Sequence, residues 1–206
     1  MQDICRQIVA LLGIEVATRG PAPARGLLVS NHLSYLDIIV YSSLTPTVFV
    51  SKADVRYWPI FGQFAHMSGT LFVKREKRGD VSRLADEMQE VLESDLVLAL
   101  FPEGTSSGGE TVLPFKSSLL EPIVQRNHPV AAAAIDYHLE NGSVADEIAY
   151  WRDMTLVPHL MNVFTKERIR ATVAFAPPQP RSGDRKQVAR DLHAEVLGLK
   201  GQITAK

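Results

Sequence analysis

The sequence predicts an α/β fold, in which a central, largely parallel or mixed β-sheet is flanked by helices, with a short N-terminal amphipathic helix. Short apolar stretches alternate along most of the chain with stretches whose apolar residues recur at helical spacing. The 206 residues, 46% of them hydrophobic and 22% charged, have the length and composition of one globular domain with a substantial core. We therefore expect residues 1–206 to form a single domain.

The first and last predicted helices are the two that could also contact a membrane. In residues 1–13, Ile4, Ile8 and Leu11 belong to an apolar stripe that ends at Gly13. Such a helix can pack on the body of the protein or lie on a membrane surface, and packing is the favoured alternative. The C-terminal helix, within residues 181–206, is mildly basic, and a solvent-exposed charged face is favoured there over membrane contact.

The remaining elements follow from apolar patterning. Runs of β-branched and other apolar residues predict strands at residues 14–19, 26–29, 47–50, 69–75, 96–101, 130–137 and 169–176. Helical spacing predicts helices from residue 34 onward and at residues 80–93, 116–125, 155–166 and 184–199, with Asp80 as an N-cap. The aromatic segment 52–69, which contains Tyr57 and Trp58, is typical either of a buried helix or of a segment that dips into the lipid interface.

Composition excludes several classes of protein. The formal net charge of −1 gives no basis for nucleic-acid binding. Cys5 is the only cysteine, so we expect no internal disulfide and no cysteine-based metal site, and a reducing compartment is indicated. No apolar stretch reaches the roughly 18–20 residues that a membrane span requires, and the N-terminus lacks the features of a secretory signal. We therefore expect any membrane contact to be peripheral.

The clearest candidate for chemistry lies between the strand at residues 26–29 and the helix that follows it. Ser34 is predicted to cap this helix, and Asp37, three residues later, to complete a capping box. His32 then lies in the strand-to-helix turn, where its ring can face a substrate while Asp37 points back towards it. A histidine held by a carboxylate can take a proton from an attacking hydroxyl. The alternative is an ordinary helix cap beside a surface histidine.

Two further segments could bind a ligand. The strand at residues 69–75 ends in Arg75, which could contact an anion or lie in a solvated turn. The loop at residues 102–109 follows a buried strand, at the edge where open α/β sheets bind ligands, although such loops are also typical of ordinary turns. The loop lacks the spacing of a phosphate-binding loop. His159, in a later predicted helix, is favoured as a packed or surface residue over a second base.

Together these segments resemble the glycerolipid acyltransferase superfamily, which includes bacterial 1-acylglycerol-3-phosphate acyltransferases. The family's N-H-x-S-x-x-D block matches Asn31, His32, Ser34 and Asp37. Its G-x-[IL]-F-[IV]-x-R block matches Gly69, Leu71, Phe72, Val73 and Arg75. Its F-P-E-G-T-R-S block matches Phe101, Pro102, Glu103, Gly104, Thr105 and Ser107, and a weaker V/H-P-V pattern falls at His128, Pro129 and Val130. The resemblance covers residues 26–137.

The resemblance implies a catalytic pair and an acceptor site. His32 would deprotonate the acceptor hydroxyl, and Asp37 would orient the imidazole and stabilise the imidazolium. The acceptor would be bound and positioned by Arg75, Glu103, Gly104, Thr105 and Ser106. A thioester is an activated acyl donor, so one positioned base suffices and no covalent acyl-enzyme, metal or cofactor is implied. Acyl-CoA or the acyl carrier protein thioester, acyl-ACP, would be the co-substrate.

Two departures from the family's pattern bear on the acceptor and on membrane attachment. Ser106 stands where the family usually has Arg, which removes a cation from the expected phosphate site. Bacterial relatives that acylate lyso-ornithine lipid are similar in this loop and in the pattern formed by Trp151, Asp153, Met154, Pro158, His159 and Leu160. The sequence shows no match to the N-terminal membrane span of many members, so either residues 1–13 and the Trp58 segment are the candidate membrane contacts or the sequence is a shortened form of the protein.

The sequence therefore predicts an O-acyltransferase that moves a fatty acyl chain from a thioester to a lysolipid hydroxyl. The first choice of acceptor is 1-acylglycerol-3-phosphate, converted to phosphatidic acid in phospholipid biosynthesis, and the second is lyso-ornithine lipid. We expect a peripheral protein on the cytoplasmic face of the cell membrane. A non-catalytic lipid-binding membrane protein is the rival from another class, and the intact His32, Asp37 and Glu103 argue against it. A hydrolase is a third and less favoured alternative, in which water could act as a slow acceptor.

Overall fold

A computed structural model describes residues 1–53, 56, 62–63, 66, 68–73, 78–121, 124 and 128–204 of the chain. Within these residues, eight strands form one mixed sheet with helices on both faces. The strands are β1 (Ile14–Arg19), β2 (Gly26–Ser30), β3 (Thr47–Lys52), β4 (Leu71–Val73), β5 (Val97–Leu100), β6 (Pro129–His138), β7 (Ile169–Phe175) and β8 (Gln179–Pro180). The helices are α1 (Gln2–Leu11), α2 (Leu36–Leu44), α3 (Arg78–Leu92), α4 (Val144–Glu147), α5 (Leu156–Phe164) and α6 (Arg185–Thr204), and a 3₁₀ helix spans Ser117–Leu119. The predicted fold class is confirmed.

The strand order places the loops of interest at one edge of the sheet. The order is β1-β7-β6-β2-β5-β3-β4, and β8 pairs with β6. Strands β6, β2, β5, β3 and β4 run parallel to one another, whereas β7 and β8 run antiparallel to β6. The carboxyl ends of β2, β5 and β6 therefore share one edge, where the loops that follow β2 and β5 can meet.

Alternate residues of the central strands face two apolar layers. Leu28 of β2 faces the layer that contains α1, α2 and α5, whereas its neighbours Leu27 and Val29 face the layer that contains α3 and α6. Residues 131–134 of β6, all alanines, are fully buried and alternate between the same two layers. Because these side chains are small, α6 can pack closely across β6 and β7.

The predicted N-terminal helix packs on the body of the protein, which was the favoured alternative. Cys5 and Val9 of α1 are buried, and α1 lies against α2. The side chains of Gln2 and Arg6 donate hydrogen bonds to the carbonyl of Ser43, near the C-terminal end of α2, at 3.3 and 3.1 Å. Among the described residues, none of the helices combines the length and hydrophobicity that crossing a bilayer requires.

Some predicted element boundaries need correction. Helix α3 begins at Arg78, so Asp80 lies inside its first turn and is not the N-cap. The predicted helix at residues 116–125 begins as a 3₁₀ helix, because Leu119 and Leu120 donate to carbonyls three residues back. Most of the aromatic segment 52–69, including Tyr57 and Trp58, lies outside the described residues, as does part of the 116–125 segment.

Candidate active site

The turn that carries His32 is fixed to the sheet by the side chain of Asn31. The Asn31 amide nitrogen donates to the carbonyl of Ile135 at 2.9 Å, and its oxygen accepts from the backbone N–H of Ile135 at 2.9 Å. Because β2 ends at Ser30, opposite Ala133, this amide takes the place that the next backbone group of β2 would have beside β6. The buried Asn31 therefore anchors the start of the turn.

Asp37 organises the rest of the turn with both of its carboxylate oxygens. Its Oδ2 accepts hydrogen bonds from His32 Nδ1 at 2.8 Å and from the backbone N–H groups of Leu33 and Ser34 at 2.7 and 3.1 Å. Its Oδ1 accepts the Tyr137 hydroxyl at 2.8 Å. The side chain of Asp37 is completely buried, so four donors offset the cost of removing the carboxylate from water.

The predicted capping box forms only in part. Helix α2 begins at Leu36, and Tyr35 at the N-cap already has helical backbone angles. The carboxylate of Asp37 reaches back to the N–H of Ser34, as a capping box requires. The hydroxyl of Ser34 is buried and has no hydrogen-bond partner within the described part of the chain. The prediction that Ser34 caps this helix is therefore wrong.

The hydrogen bond to Asp37 fixes the protonation pattern of the His32 ring. The Asp37 carboxylate is an acceptor, so Nδ1 carries the ring proton and Nε2 is left as the basic nitrogen. One face of the ring stacks on Phe101, with centroids 4.2 Å apart and planes inclined by 11°. The His32 side chain is 20% exposed, which gives a solvent or substrate hydroxyl access to the turn. The ring can therefore act as a positioned general base.

Glu103 braces the same turn from the loop after β5. Its Oε1 accepts the backbone N–H of His32 at 2.7 Å, and its Oε2 accepts the N–H of Leu113 at 2.9 Å. Burial raises the pKa of Glu103 to about 7, although the two hydrogen bonds from backbone N–H groups oppose this rise. The resemblance implies contact between Glu103 and the acceptor, but in this structure both carboxylate oxygens bind backbone groups.

Gly104, Thr105 and Ser106, which were also predicted to bind the acceptor, lie in the same loop. Gly104 has a left-handed φ of 70°, and its N–H donates to the carbonyl of Phe101 at 3.0 Å, so the chain turns tightly here. Thr105 is exposed beyond this turn. The hydroxyl of Ser106 donates to the carbonyl of Tyr150, so it points towards the segment before α5. Arg75 lies outside the described residues.

The segment before α5 closes over the loop. The Trp151 ring lies so near Gly108 that a β-carbon added there would come within 2.5 Å of it. The Trp151 indole is held by a hydrogen bond from Nε1 to the carbonyl of Ala145 at 2.8 Å. The backbone N–H of Ser107 donates to the carbonyl of His32 at 3.0 Å. The loop is therefore tied to the His32 turn on one side and covered by Trp151 on the other.

His159 connects α5 to the His32 turn. Its Nδ1 lies 2.9 Å from the Tyr35 hydroxyl, and its Nε2 lies 3.1 Å from the carbonyl of Ala149. Burial lowers the pKa of His159, so the ring is neutral, with Nε2–H donating to Ala149 and Nδ1 accepting from Tyr35. Next to it, the N–H of Tyr150 donates to the carbonyl of Leu33 at 2.9 Å. His159 is packed, as the sequence favoured.

Several residues that contact His32 and Asp37 were not identified from the sequence. Tyr137 donates to Asp37 across 100 positions of sequence, and Phe101 supplies the face on which His32 stacks. Burial and the nearby charge of Asp37 raise the pKa of Tyr137 well above its ordinary value, so its hydroxyl keeps the donated proton. A polar group at the carboxyl end of a predicted buried strand was the available signal for Tyr137.

The arrangement can perform proton transfer to and from an acceptor hydroxyl. A base is held in one tautomer by a buried carboxylate, and its main chain is fixed from both sides by Asn31 and Glu103. In the described part of the chain, no three His, Cys, Asp or Glu side chains form a group that could hold a metal ion.

Similarities to known proteins identify the family. A family model described as Acyltransferase matches residues 13–136. The chain is 35% identical over 196 residues to the lyso-ornithine lipid O-acyltransferase of Rhizobium meliloti (strain 1021), covering 87% of this chain and 67% of that protein. It is 30% identical over 176 residues to the 1-acyl-sn-glycerol-3-phosphate acyltransferase of Neisseria meningitidis serogroup B (strain ATCC BAA-335 / MC58), covering 84% of this chain and 69% of that protein.

The fold is also similar to a solved structure. The crystal structure of the 1-acyl-sn-glycerophosphate (LPA) acyltransferase, PlsC, from Thermotoga maritima aligns with 100% of this chain and 78% of that chain, with a TM-score of 0.74 and 18% identity. At this identity the similarity concerns the fold. The family model covers more than half of the sequence, including His32, Asp37 and the loop that contains Glu103. The chain therefore belongs to the Acyltransferase family.

Proposed function

We propose that this acyltransferase moves a fatty acyl chain from a thioester to the hydroxyl of a lysolipid. The observation that carries the proposal is the buried Asp37 carboxylate, which holds His32 with Nδ1 protonated and Nε2 basic. His32 Nε2 takes the proton of the acceptor hydroxyl as the oxygen attacks the thioester carbonyl. The C–S bond then breaks, an ester forms, and the imidazolium returns the proton to the leaving thiolate. No covalent acyl-enzyme is needed.

Asp37 supports both halves of this proton transfer. Its negative charge stabilises the imidazolium that exists between removal and return of the proton. Its contacts with the N–H groups of Leu33 and Ser34 keep the carboxylate in place while the charge on His32 changes. The donor is acyl-CoA or acyl-ACP, used as a co-substrate without a further cofactor.

For the acceptor, the observations favour lyso-ornithine lipid over 1-acylglycerol-3-phosphate. Ser106, where the family usually has Arg, directs its hydroxyl to the carbonyl of Tyr150 and supplies no cation for a phosphate. The Rhizobium relative, named for lyso-ornithine lipid, is 35% identical to this chain, against 30% for the Neisseria relative named for 1-acyl-sn-glycerol-3-phosphate. A zwitterionic ornithine head group needs less positive charge than a phosphate monoester. We retain 1-acylglycerol-3-phosphate as the second candidate because Arg75 belongs to the matched second block.

The proposed place of action is the cytoplasmic surface of the cell membrane, with the protein bound peripherally. Both candidate acceptors are single-chain or partly acylated lipids that reside in a bilayer. The single cysteine, Cys5, suits a reducing compartment.

The decisive experiment measures thiol release from acyl-CoA and from acyl-ACP, with lyso-ornithine lipid and 1-acylglycerol-3-phosphate (lysophosphatidic acid) offered separately as acceptors. We expect acceptor-dependent release with lyso-ornithine lipid, and its loss in His32→Ala. The matched control is His138→Ala, because His138 is an exposed histidine on the same sheet. Circular dichroism checks that both variants fold.

Full activity of His32→Ala contradicts the mechanism, and release with lysophosphatidic acid alone contradicts the assigned head group. Release with neither acceptor favours a lipid-binding protein without this activity.

A further inference from the structure

The ring of Phe101 lies against His32 but has no part in the proton transfer proposed above. Phe101 directly follows β5, and its ring is nearly parallel to that of His32, with the two centroids 4.2 Å apart and the planes inclined by 11°. A cation that lies over the face of an aromatic ring, within about 6 Å of its centroid, is attracted by the negative charge of that face. The stack therefore places Phe101 within range of the charge that forms on His32.

Phe101 is held in this position by neighbouring rings of the core. Its ring is nearly parallel to that of Phe49, with centroids 6.0 Å apart and planes inclined by 16°, and the ring of Tyr41 makes a tilted contact at 6.2 Å. Both Phe49 and Tyr41 are buried. The carbonyl of Phe101 accepts the N–H of Gly104 at 3.0 Å, which ties its backbone to the start of the loop. The ring is therefore in place before any reaction begins, as a preorganised group must be.

The contact with Phe101 favours the charged form of the His32 ring over the neutral form. At the edge of the ring, Nδ1 donates to Asp37 at 2.8 Å, and Glu103 binds the backbone N–H of His32. Phe101 covers a face of the ring, so it acts on the charge separately from these two carboxylates. Two neutral rings gain little electrostatic energy when stacked in parallel, whereas a cationic ring is attracted to the aromatic face. A contact that is stronger with the cation lowers the barrier of a reaction that forms the cation.

We propose that Phe101 is a positioning residue for acyl transfer, whose ring face holds the His32 ring and stabilises the imidazolium that forms as His32 takes the proton of the acceptor. The proposal rests on the proposed function only in taking His32 as the base. It gives Phe101 an electrostatic role in addition to its packing role, and it holds for any acceptor hydroxyl, including water. An attraction of this kind, made with the cation alone, changes a rate by about five- to thirtyfold.

The test changes the charge of the Phe101 face while nearly preserving the size of the ring. Phe101 is replaced by phenylalanines that carry one, two or three ring fluorines, which withdraw electrons from the face. We expect thiol release with the lysolipid that supports turnover to slow by about two- to threefold per fluorine, with the KM of the lysolipid changed by less than about twofold. The rates are compared at about pH 8.5, where an imidazole of ordinary pKa is neutral before the reaction.

Two further sets of variants separate the charge of the ring from its shape. The matched control places the same fluorinated residues at Phe115, whose ring meets the ring of His193 in α6 at an interplanar angle of 90°. Phe115 has no role in the proposed reaction, so these variants should keep the wild-type rate to within about twofold. Phe101→Leu keeps an apolar side chain without an aromatic face, and we expect it to lose about five- to thirtyfold in rate. Near-UV circular dichroism verifies packing in all variants.

Slow thioester hydrolysis without lipid supplies a second measurement, because the same base would deprotonate water. Such a slow reaction is limited by its chemical step, so it reports the dependence on fluorine even where product release limits lipid turnover. Equal rates across the Phe101 series in both assays overturn the proposal, even if Phe101→Leu is slow, because the ring would then contribute packing alone. An equal fall in the Phe115 series also overturns it.

The two assays also separate this proposal from the proposed function. If hydrolysis slows with each fluorine but neither lysolipid is acylated, the role of Phe101 stands and the proposed function fails. If a lysolipid is acylated at the same rate throughout the series and hydrolysis does not respond either, the proposed function stands and the role of Phe101 fails. A wild-type protein with neither activity refutes both.

Discussion

Replacing Glu103 by glutamine should change how the stability of the protein depends on pH. Glu103 is buried between the N–H groups of His32 and Leu113, and its pKa rises from 4.5 to about 7 on folding. The folded state therefore binds a proton more tightly than the unfolded state does. Its stabilising contribution is complete below pH 4.5 and is lost as the pH rises through 7. The amide introduced by Glu103→Gln does not titrate, so the variant lacks this dependence.

The size of the effect follows from the two pKa values. A tenfold change in proton affinity corresponds to about 1.4 kcal/mol, so a rise from 4.5 to about 7 corresponds to about 3 kcal/mol. We expect the free energy of unfolding of the wild type, relative to Glu103→Gln, to fall by up to about 3 kcal/mol between pH 4.5 and pH 8. All other titrating groups are the same in both proteins, so their effects cancel in the difference.

Urea denaturation of both proteins at pH 5, 6, 7 and 8 measures this difference directly. The slope of unfolding free energy against urea should be the same for both, which shows that the folded and unfolded states remain comparable. A difference that does not vary with pH would refute the reasoning. A wild type that gains stability relative to Glu103→Gln as pH rises would show that the two N–H donors outweigh burial and keep the carboxylate ionised.

Three further substitutions test individual contacts of the site. Asp37→Asn removes the charge that would stabilise the His32 imidazolium, so we expect the rate of thiol release to fall about a thousandfold. Circular dichroism should show that the variant keeps its fold. A fall in rate of less than about tenfold would contradict the role of Asp37. Tyr137→Phe removes one of four hydrogen-bond donors to Asp37. In urea titrations this should lower the free energy of unfolding by about 1–2 kcal/mol. An unchanged urea midpoint would show that this hydrogen bond makes no net contribution to stability. Gly108→Ala would place a methyl group within 2.5 Å of the Trp151 ring. We expect this variant to be destabilised by about 1–3 kcal/mol, as measured by thermal unfolding. Adding Trp151→Ala to the same chain should relieve most of this destabilisation. Equal destabilisation in the single and double variants would contradict this steric explanation.

The sequence predicted the geometry of the His32 turn because all of its parts are local. A buried strand ends at Ser30, a helix begins six residues later, and the helix start brings Asp37 close to His32 whatever the rest of the chain does. The one local error concerns Ser34. Tyr35 already has helical backbone angles, and the carboxylate of Asp37 serves the free N–H groups, so the hydroxyl of Ser34 is not used.

Contacts between distant segments could not be predicted in the same way. The resemblance implies that Glu103 binds the acceptor; the sequence did not predict that its carboxylate also accepts N–H groups 71 and 10 positions away. The direction in which a loop carboxylate points depends on how the other loops pack around it. That packing brings together residues far apart in the chain, and it cannot be read from a single sequence. The exposed face of α5 is a second example. Apolar residues occur on both faces of this helix, so periodicity alone could not tell which face remains uncovered.

The Asn31 amide has a consequence for the motions of the protein. The backbone N–H and C=O of Ile135 both bind the side chain of Asn31. Asn31 lies one position beyond Ser30, the last residue of β2 that pairs with β6. The His32 turn can lift from the sheet only when these two bonds break together. Hydrogen–deuterium exchange at the Ile135 amide therefore measures how often the His32 turn leaves its place, without substrate and without turnover. A single backbone amide in a buried strand would then report the fraction of molecules that are ready to react.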